Sequence, residues 1–193
     1  MVTTRQWLNP PAAVGQDGDR ITVTAAPGSD FWRQTLYGFT RDSGHALLTP
    51  VDRAASLEVD FLLDFDQRYD QAGLMLRTDE RTWIKAGVEI SDGVPHVGAV
   101  VTRGASDWSL APVPDWAGRV VTVRASWADG AVTLRARPAE GSWRTIRVAP
   151  FDVGPATGAG LYLCAPERAG LTVAFTGLRH GRTDAGLHED PAG

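Results

Sequence analysis

A single cysteine in 193 residues, Cys164, rules out an internal disulfide and points to a reducing, cytoplasmic setting. No apolar run approaches the ~20 residues of a membrane-spanning helix. The opening Met-Val-Thr-Thr-Arg-Gln-Trp carries no apolar leader, so a membrane is not an expected partner. Basic excess is missing as well: 19 Lys and Arg against 23 Asp and Glu give a net charge of −4, which excludes the electrostatic footprint of a nucleic-acid binder. The histidines, His45, His96, His180 and His188, are scattered, and neither HExxH nor a Cys/His metal spacing occurs. No glycine-rich phosphate loop opens a helix, and there is no Gly-x-Ser-x-Gly elbow. The sequence therefore calls for no cofactor and no metal.

The chain instead offers strands and turns. At 43% hydrophobic content its length suits one domain with a substantial core. Runs with period-two alternation recur at 21–25, 31–39, 45–51 and 57–65, then at 119–127, 131–137, 143–148, 158–165 and 171–178. Asp129-Gly130 marks a tight hairpin. Only 52–56 and 166–170 suggest short helical turns. This pattern predicts an all-β sandwich or barrel. About a dozen strands suit two stacked sheets, and a jelly roll fits better than a seven-stranded immunoglobulin sandwich, while the pattern leaves the topology open. Residues 1–180 form the expected domain, and the Gly-, Asp- and Pro-bearing stretch 181–193 reads as a flexible tail.

The segment 69–109 is the most unusual. Alternation assigns Ala72, Leu74, Leu76, Ile84, Ala86, Val88, Ile90, Val97, Ala99 and Val101 to a core face. The opposite face carries Gln71, Gly73, Met75 and Arg77, then Trp83, Lys85, Gly87 and Glu89, then His96, Gly98, Val100 and Thr102. A type I′ turn at Asp92-Gly93 pairs Glu89 with His96, Gly87 with Gly98 and Lys85 with Val100. A loop over 78–82 pairs Gly73 with Gly87 and Gln71 with Glu89. Three glycines would then floor a trough between polar walls, and strand-centre glycine implies that something approaches closely. On that view Gly87→Val blocks a ligand yet leaves the fold intact.

Amide, carboxylate, imidazole and ammonium groups beside an aromatic suit hydroxyl recognition. The ligand-binding candidates are Gln71, Gly73, Trp83, Lys85, Gly87, Glu89, His96 and Gly98, with Tyr69, Asp107 and Trp108. In an enzyme, Glu89 would be the acid or base, tuned by Lys85 and His96. Each residue also has a plainer reading. Glu89 and Lys85 pair on a solvated face, His96 lies at the surface, and Trp83 and Trp108 are core and rim aromatics. Cys164 in its apolar strand reads as a buried thiol.

Phe31-Trp32-Arg33…Tyr37-Gly38-Phe39…Gly44-His45, Tyr69-Asp70-Gln71-Ala72-Gly73-Leu74-Met75, Trp83-Ile84-Lys85-Ala86-Gly87-Val88-Glu89, Ser106-Asp107-Trp108-Ser109 and Cys164-Ala165-Pro166-Glu167-Arg168-Ala169-Gly170-Leu171 resemble the blocks of a domain-of-unknown-function family that includes the fungal regulation-of-enolase protein. The resemblance covers roughly residues 5–180, with Ala165 where serine is expected. It implies a concanavalin A-like sandwich and adds His45 to the candidate site. Related glucanases take both carboxylates from alternating positions of one strand. Here those positions read Lys85, Gly87 and Glu89, so standard glucanase chemistry is not expected. The expected function is binding of a small polar, sugar-like ligand. The alternatives are a lyase, isomerase or unorthodox glycosidase working through Glu89, and a regulator that binds a metabolic enzyme as its protein partner.

Overall fold

A computed structural model describes residues 5–191. The first strands are β1 (Gln6–Leu8), β2 (Ala13–Asp17), β3 (Arg20–Thr24), β4 (Phe31–Arg33), β5 (Thr40–Asp42) and β6 (His45–Pro50). The central ones are β7 (Ala55–Leu62), β8 (Gln71–Asp79), β9 (Thr82–Ser91), β10 (Val94–Arg103) and β11 (Ala105–Pro112). The chain closes with β12 (Val120–Ala128), β13 (Ala131–Pro138), β14 (Arg144–Pro150), β15 (Gly158–Cys164) and β16 (Thr172–Gly181). They form two seven-stranded antiparallel sheets, ordered β1-β6-β15-β8-β9-β10-β11 and β14-β13-β12-β7-β16-β3-β2. This is the concanavalin A-like jelly-roll sandwich. Among the described residues, Pro114–Trp116 is a single 3₁₀ turn, and no helix is long and apolar enough to cross a membrane.

Period-two alternation does what it should between the sheets. Ala72, Leu74, Leu76, Ile84, Ala86, Val88, Val97, Ala99 and Val101 all enter the shared core, where they meet Leu57, Val59 and Phe61 of the facing sheet. The Asp92-Gly93 turn has positive φ at both positions, 51° and 77°. It sets the register read from the sequence: Glu89 opposite His96, Gly87 opposite Gly98, Lys85 opposite Val100. On the other side Gln71 faces Glu89, Gly73 faces Gly87 and Met75 faces Lys85. The three glycines do lie side by side on adjacent strands.

What lies over them differs from an open trough. The segment 31–39 is not one strand. It stops after Arg33 because Gln34 and Leu36 (both φ 61°) and Gly38 (φ 70°) turn the chain back into β5. The resulting hairpin folds onto the outer face of the β8–β9–β10 sheet. There Phe31 and Trp32 pack with Met75, Trp83, Val100, Tyr162 and Cys164 in a second, smaller core. Tyr162 pairs with Gly73 and, with Gly87 and Gly98, encloses only about 10 Å³, room for one water. Nor is the glycine row an empty floor. A Cβ at Gly87 would sit 2.1 Å from the Ala72 carbonyl oxygen, and one at Gly98 would sit 2.1 Å from that of Ser109. The close approach is that of neighbouring backbone, not of a ligand, and the expectation that Gly87→Val leaves the fold intact is corrected.

Two smaller differences follow from local contacts. The stretch 52–56 is a bend that runs into β7, and 166–170 forms bends and loop; neither is a helical turn. The segment expected as a flexible tail is anchored to the outer face of the other sheet. Arg124 Nε donates to Asp184 at 2.8 Å, Arg135 pairs with the same carboxylate, and Arg135 Nη2 donates to the Leu187 carbonyl at 2.8 Å.

Gly87→Ala is therefore expected to destabilise the protein by about 2 kcal/mol or more through forced backbone displacement. Gly15→Ala, whose nearest neighbour would be Thr22 Cβ at 4.0 Å, should be close to neutral. Urea midpoints of the two variants decide the matter; equal midpoints would mean that the glycine row tolerates side chains.

Candidate functional site

The glycines do not hold the polar groups of this face; the roof does. The chain between β3 and β4 is clamped to the end of β15. Gly28 N–H donates to the Ala165 carbonyl at 2.8 Å, Ala165 N–H donates to Ser29 Oγ at 3.0 Å, and Ser29 Oγ–H donates to the Ala26 carbonyl at 2.7 Å. Gly44 N–H then donates to the Asp30 carbonyl at 2.9 Å. These bonds aim the Asp30 side chain down at the sheet. Lys85 Nζ, nearly inaccessible at 4% exposure, lies 3.4 Å from Asp30 Oδ1 and donates to Gln71 Oε1 at 2.7 Å. Glu89 stands four residues along the same strand and on the same face, half-buried. Among the described residues, none hydrogen-bonds its carboxyl.

Asp30, Gln71, Lys85 and Glu89 share one cavity of about 280 Å³, whose aromatic walls are Trp32, Tyr37, Phe39, Tyr69 and Trp108. The rim is fixed by a separate ion pair. Buried Asp70 pairs with Arg168, tying the turn before β8 to the loop after β15, and Arg68 meets Glu167 at 3.3 Å. Burial raises Asp70 above the usual carboxylate range and Arg168 opposes that shift. At the rim, the Arg41 guanidinium lies 4.8 Å from the centre of the Phe39 ring.

Electrostatics separate the two charged groups of β9. Burial, the largest influence, would depress Lys85, but the acidic groups around it, Asp30 foremost, together outweigh it and hold the ammonium above the ordinary lysine range. Burial pushes Glu89 up to about 7, against the pull of Lys85 and with reinforcement from Asp30. Lys85 is thus a fixed donor, whereas Glu89 is a proton carrier near neutrality. Cys164 and the Tyr162 hydroxyl are both raised by burial, which makes the thiol inert.

The candidates read from the sequence divide accordingly. Gln71, Lys85, Glu89, Tyr69 and Trp108 gather around the cavity. Trp83 does not: it is sealed at 1% exposure under Phe31, ring centres 5.9 Å apart. His45 is a clamp, its Nδ1 2.6 Å from the Asn9 carbonyl and its Nε2 accepting from Ala26 N–H at 3.0 Å. His96 sits opposite Glu89 but its Nδ1 lies 3.0 Å from the Val94 carbonyl, off the cavity. Asp107 is exposed and paired with Arg147 at 2.6 Å. Gly73, Gly87 and Gly98 shape the sheet. Asp30, Trp32, Tyr37 and Phe39 were not among the candidates. The first family block contains the three aromatics, and Asp30 immediately precedes it. No spacing rule places that block over β9. Among the described residues, no cluster of three or more His, Cys, Asp or Glu could hold a metal.

The Glu89 shift carries a sign that can be tested. Its native value lies above the ordinary 4.5, so the native state holds the proton more tightly than the unfolded chain does. The stability it contributes should fall as pH rises from about 4.5 to about 7 and level off above. Urea titrations of wild type and Glu89→Gln across this range should show wild type losing ground to the variant; a constant difference would mean that the carboxyl is unshifted.

Residues 7–182 match the model of a family described as a protein of unknown function, DUF1349. Regulation of enolase protein 1 of Saccharomyces cerevisiae is 39% identical over 170 residues, spanning 88% of this chain and 85% of the relative. A solved structure of a functionally unknown protein from Saccharomyces cerevisiae superposes with a TM-score of 0.87 at 37% identity, covering 92% of this chain and 96% of that one. The carbohydrate binding module CBM66 from Bacillus subtilis shares the fold at a TM-score of 0.57 and 12% identity, over 91% of this chain and 94% of the module. The likeness to the module is one of fold; the match over nearly the whole chain and the yeast relative establish that this protein belongs to the DUF1349 family.

Proposed function

We propose that this protein binds a small polyhydroxylated ligand, a sugar or sugar derivative, in the cavity between Asp30, Gln71, Lys85 and Glu89. The observation that carries it is the composition of that one cavity. Carboxylate, amide and ammonium groups from β9, β8 and the β3–β4 loop converge at its base, beneath flat aromatic walls. Such a base offers paired donors and acceptors to vicinal hydroxyls, and the rings cover the apolar face of a pyranose or furanose. Glu89 enters with its hydrogen-bonding capacity unspent. The sandwich fold, shared with a carbohydrate binding module, is compatible with this role, and buried Cys164 suits a cytoplasmic setting.

Titration calorimetry against monosaccharides and their methyl glycosides tests the proposal. At least one should bind, and Glu89→Gln should weaken that binding by about 1–3 kcal/mol through loss of a charge-assisted hydrogen bond. A panel without binders, or one whose affinities ignore Glu89, would remove the support.

One observation favours catalysis in the same cavity. A second carboxylate, Asp30, faces Lys85 from the roof, and Glu89 is pushed up to about 7, where a general acid or base works best. The objection from a lone carboxylate on β9 thereby loses its force. A lyase, isomerase or unorthodox glycosidase would convert a sugar derivative in wild type, whereas Glu89→Gln would still bind it without product. Binding with no product from any tested derivative decides for the module. A role as regulator of a metabolic enzyme comes to this chain only through the name of its yeast relative.

A further inference from the structure

Beside the polar cavity, and sharing Trp32, Tyr37 and Trp108 with it, lies a second cavity of about 410 Å³ completed by Thr35, Leu36, Ser106 and Asp107. Its chemistry differs from its neighbour's, because most of its polar atoms are already engaged. Trp32 Nε1 donates to the Thr35 carbonyl at 3.0 Å, Thr35 Oγ1 donates to the Ser106 carbonyl at 2.5 Å, and Asp107 is held by Arg147. Ser106 Oγ accepts from Arg33 N–H at 3.0 Å. What remains to meet a ligand is mostly ring and methyl, with the Tyr37 hydroxyl and one oxygen of exposed Asp107 at the edge. Trp32 stands edge-on to both Tyr37 and Trp108, with centres 5.7 and 6.1 Å apart.

The backbone here is arranged against its own preferences. Leu36 is 89% exposed and Tyr37 52%, and Leu36 adopts a left-handed φ of 61°. A leucine in that region is strained by itself, and its exposure leaves the strain without compensation from the core. Strain that presents an apolar side chain to solvent beside a binding cavity marks a ligand clamp.

Building on the proposed sugar-binding role, we infer that the ligand is amphipathic. A polyhydroxylated ring sits in the Asp30–Lys85–Glu89 cavity and carries a flat apolar substituent that passes Trp108 and seats between Trp32, Leu36 and Tyr37, as the aglycone of an aryl glycoside would. The two cavities adjoin across the same three aromatic side chains, one polar and the other apolar. A free sugar fills the polar one only.

Three probe sets separate this inference from the role on which it rests: methyl glycosides, the matching 4-nitrophenyl glycosides, and 4-nitrophenol alone. Affinities come from calorimetry, and contacts from saturation transfer at the Leu36 methyls. The nitrophenyl member of a binding pair should be tighter than the methyl member by about tenfold or more. Leu36→Asp should erase that gain while leaving the methyl glycoside where it was. Aspartate tolerates the left-handed region better than leucine, so folding is not at stake. Equal affinities within each pair, or a gain that survives Leu36→Asp, would overturn the inference and leave the sugar-binding role standing. If no glycoside binds but 4-nitrophenol contacts Leu36, the sugar-binding role fails and the apolar seat stands alone. If nothing contacts Leu36, the apolar seat is refuted whatever the sugars do.

Discussion

An ammonium group buried on the outer face of a sheet is the constraint around which this end of the molecule is organised. Taking Lys85 out of water costs several kcal/mol unless charge and hydrogen bonds replace its hydration. Gln71 supplies one bond from the neighbouring strand, but the opposing charge comes from outside the sheet. Asp30 can deliver it only if the chain between β3 and β4 crosses over the sheet. Phe31 and Trp32, next in sequence, then have a place to bury themselves against Met75, Trp83 and Val100. Ion pair and small apolar core thus require one another, and the cavity is the space left beside them.

That arrangement also fixes the character of Glu89. Four residues from Lys85 on the same face, it shares the low-polarity surroundings without receiving a partner of its own. One charge is compensated by the roof and the other is not. Of two titratable groups on one strand, one becomes a permanent cation and the other can exchange a proton near neutral pH. The division arises from geometry, since the sequence Lys-Ala-Gly-Val-Glu is symmetrical with respect to it.

The sheet and its register were legible in the sequence because they follow from local rules. Asp92-Gly93 can form only a few turns, and period-two alternation permits a single face assignment for β8, β9 and β10. Gln71, Lys85 and Glu89 could be placed on one face for that reason. The roof was not legible. Residues 31–39 alternate like a strand, and nothing in their composition reveals that Gln34 and Leu36 take left-handed conformations. With the hairpin unread, Trp83 looked available for stacking though it is covered, and the glycine row looked open though neighbouring carbonyls and Tyr162 fill it. His45 was misplaced for a related reason: a histidine beside glycine says nothing about which backbone groups will claim both ring nitrogens.

The anchoring of Asp184 by Arg124 and Arg135 bears on where this domain can be cut. Family similarity runs to residue 182, but the counter-charge for two guanidiniums, each less than a tenth exposed, lies just past that point. A chain trimmed at the limit of similarity would leave Arg124 its pair with Glu58 but strip buried Arg135 of the Asp184 carboxylate and of the carbonyls of Gly186 and Leu187. Uncompensated buried charge of this kind is worth about 3–5 kcal/mol. The ion pair that holds this end of the sheet face thus lies two residues beyond the boundary that sequence comparison draws, and the carbonyl that accepts from Arg135 at Leu187 lies five beyond it.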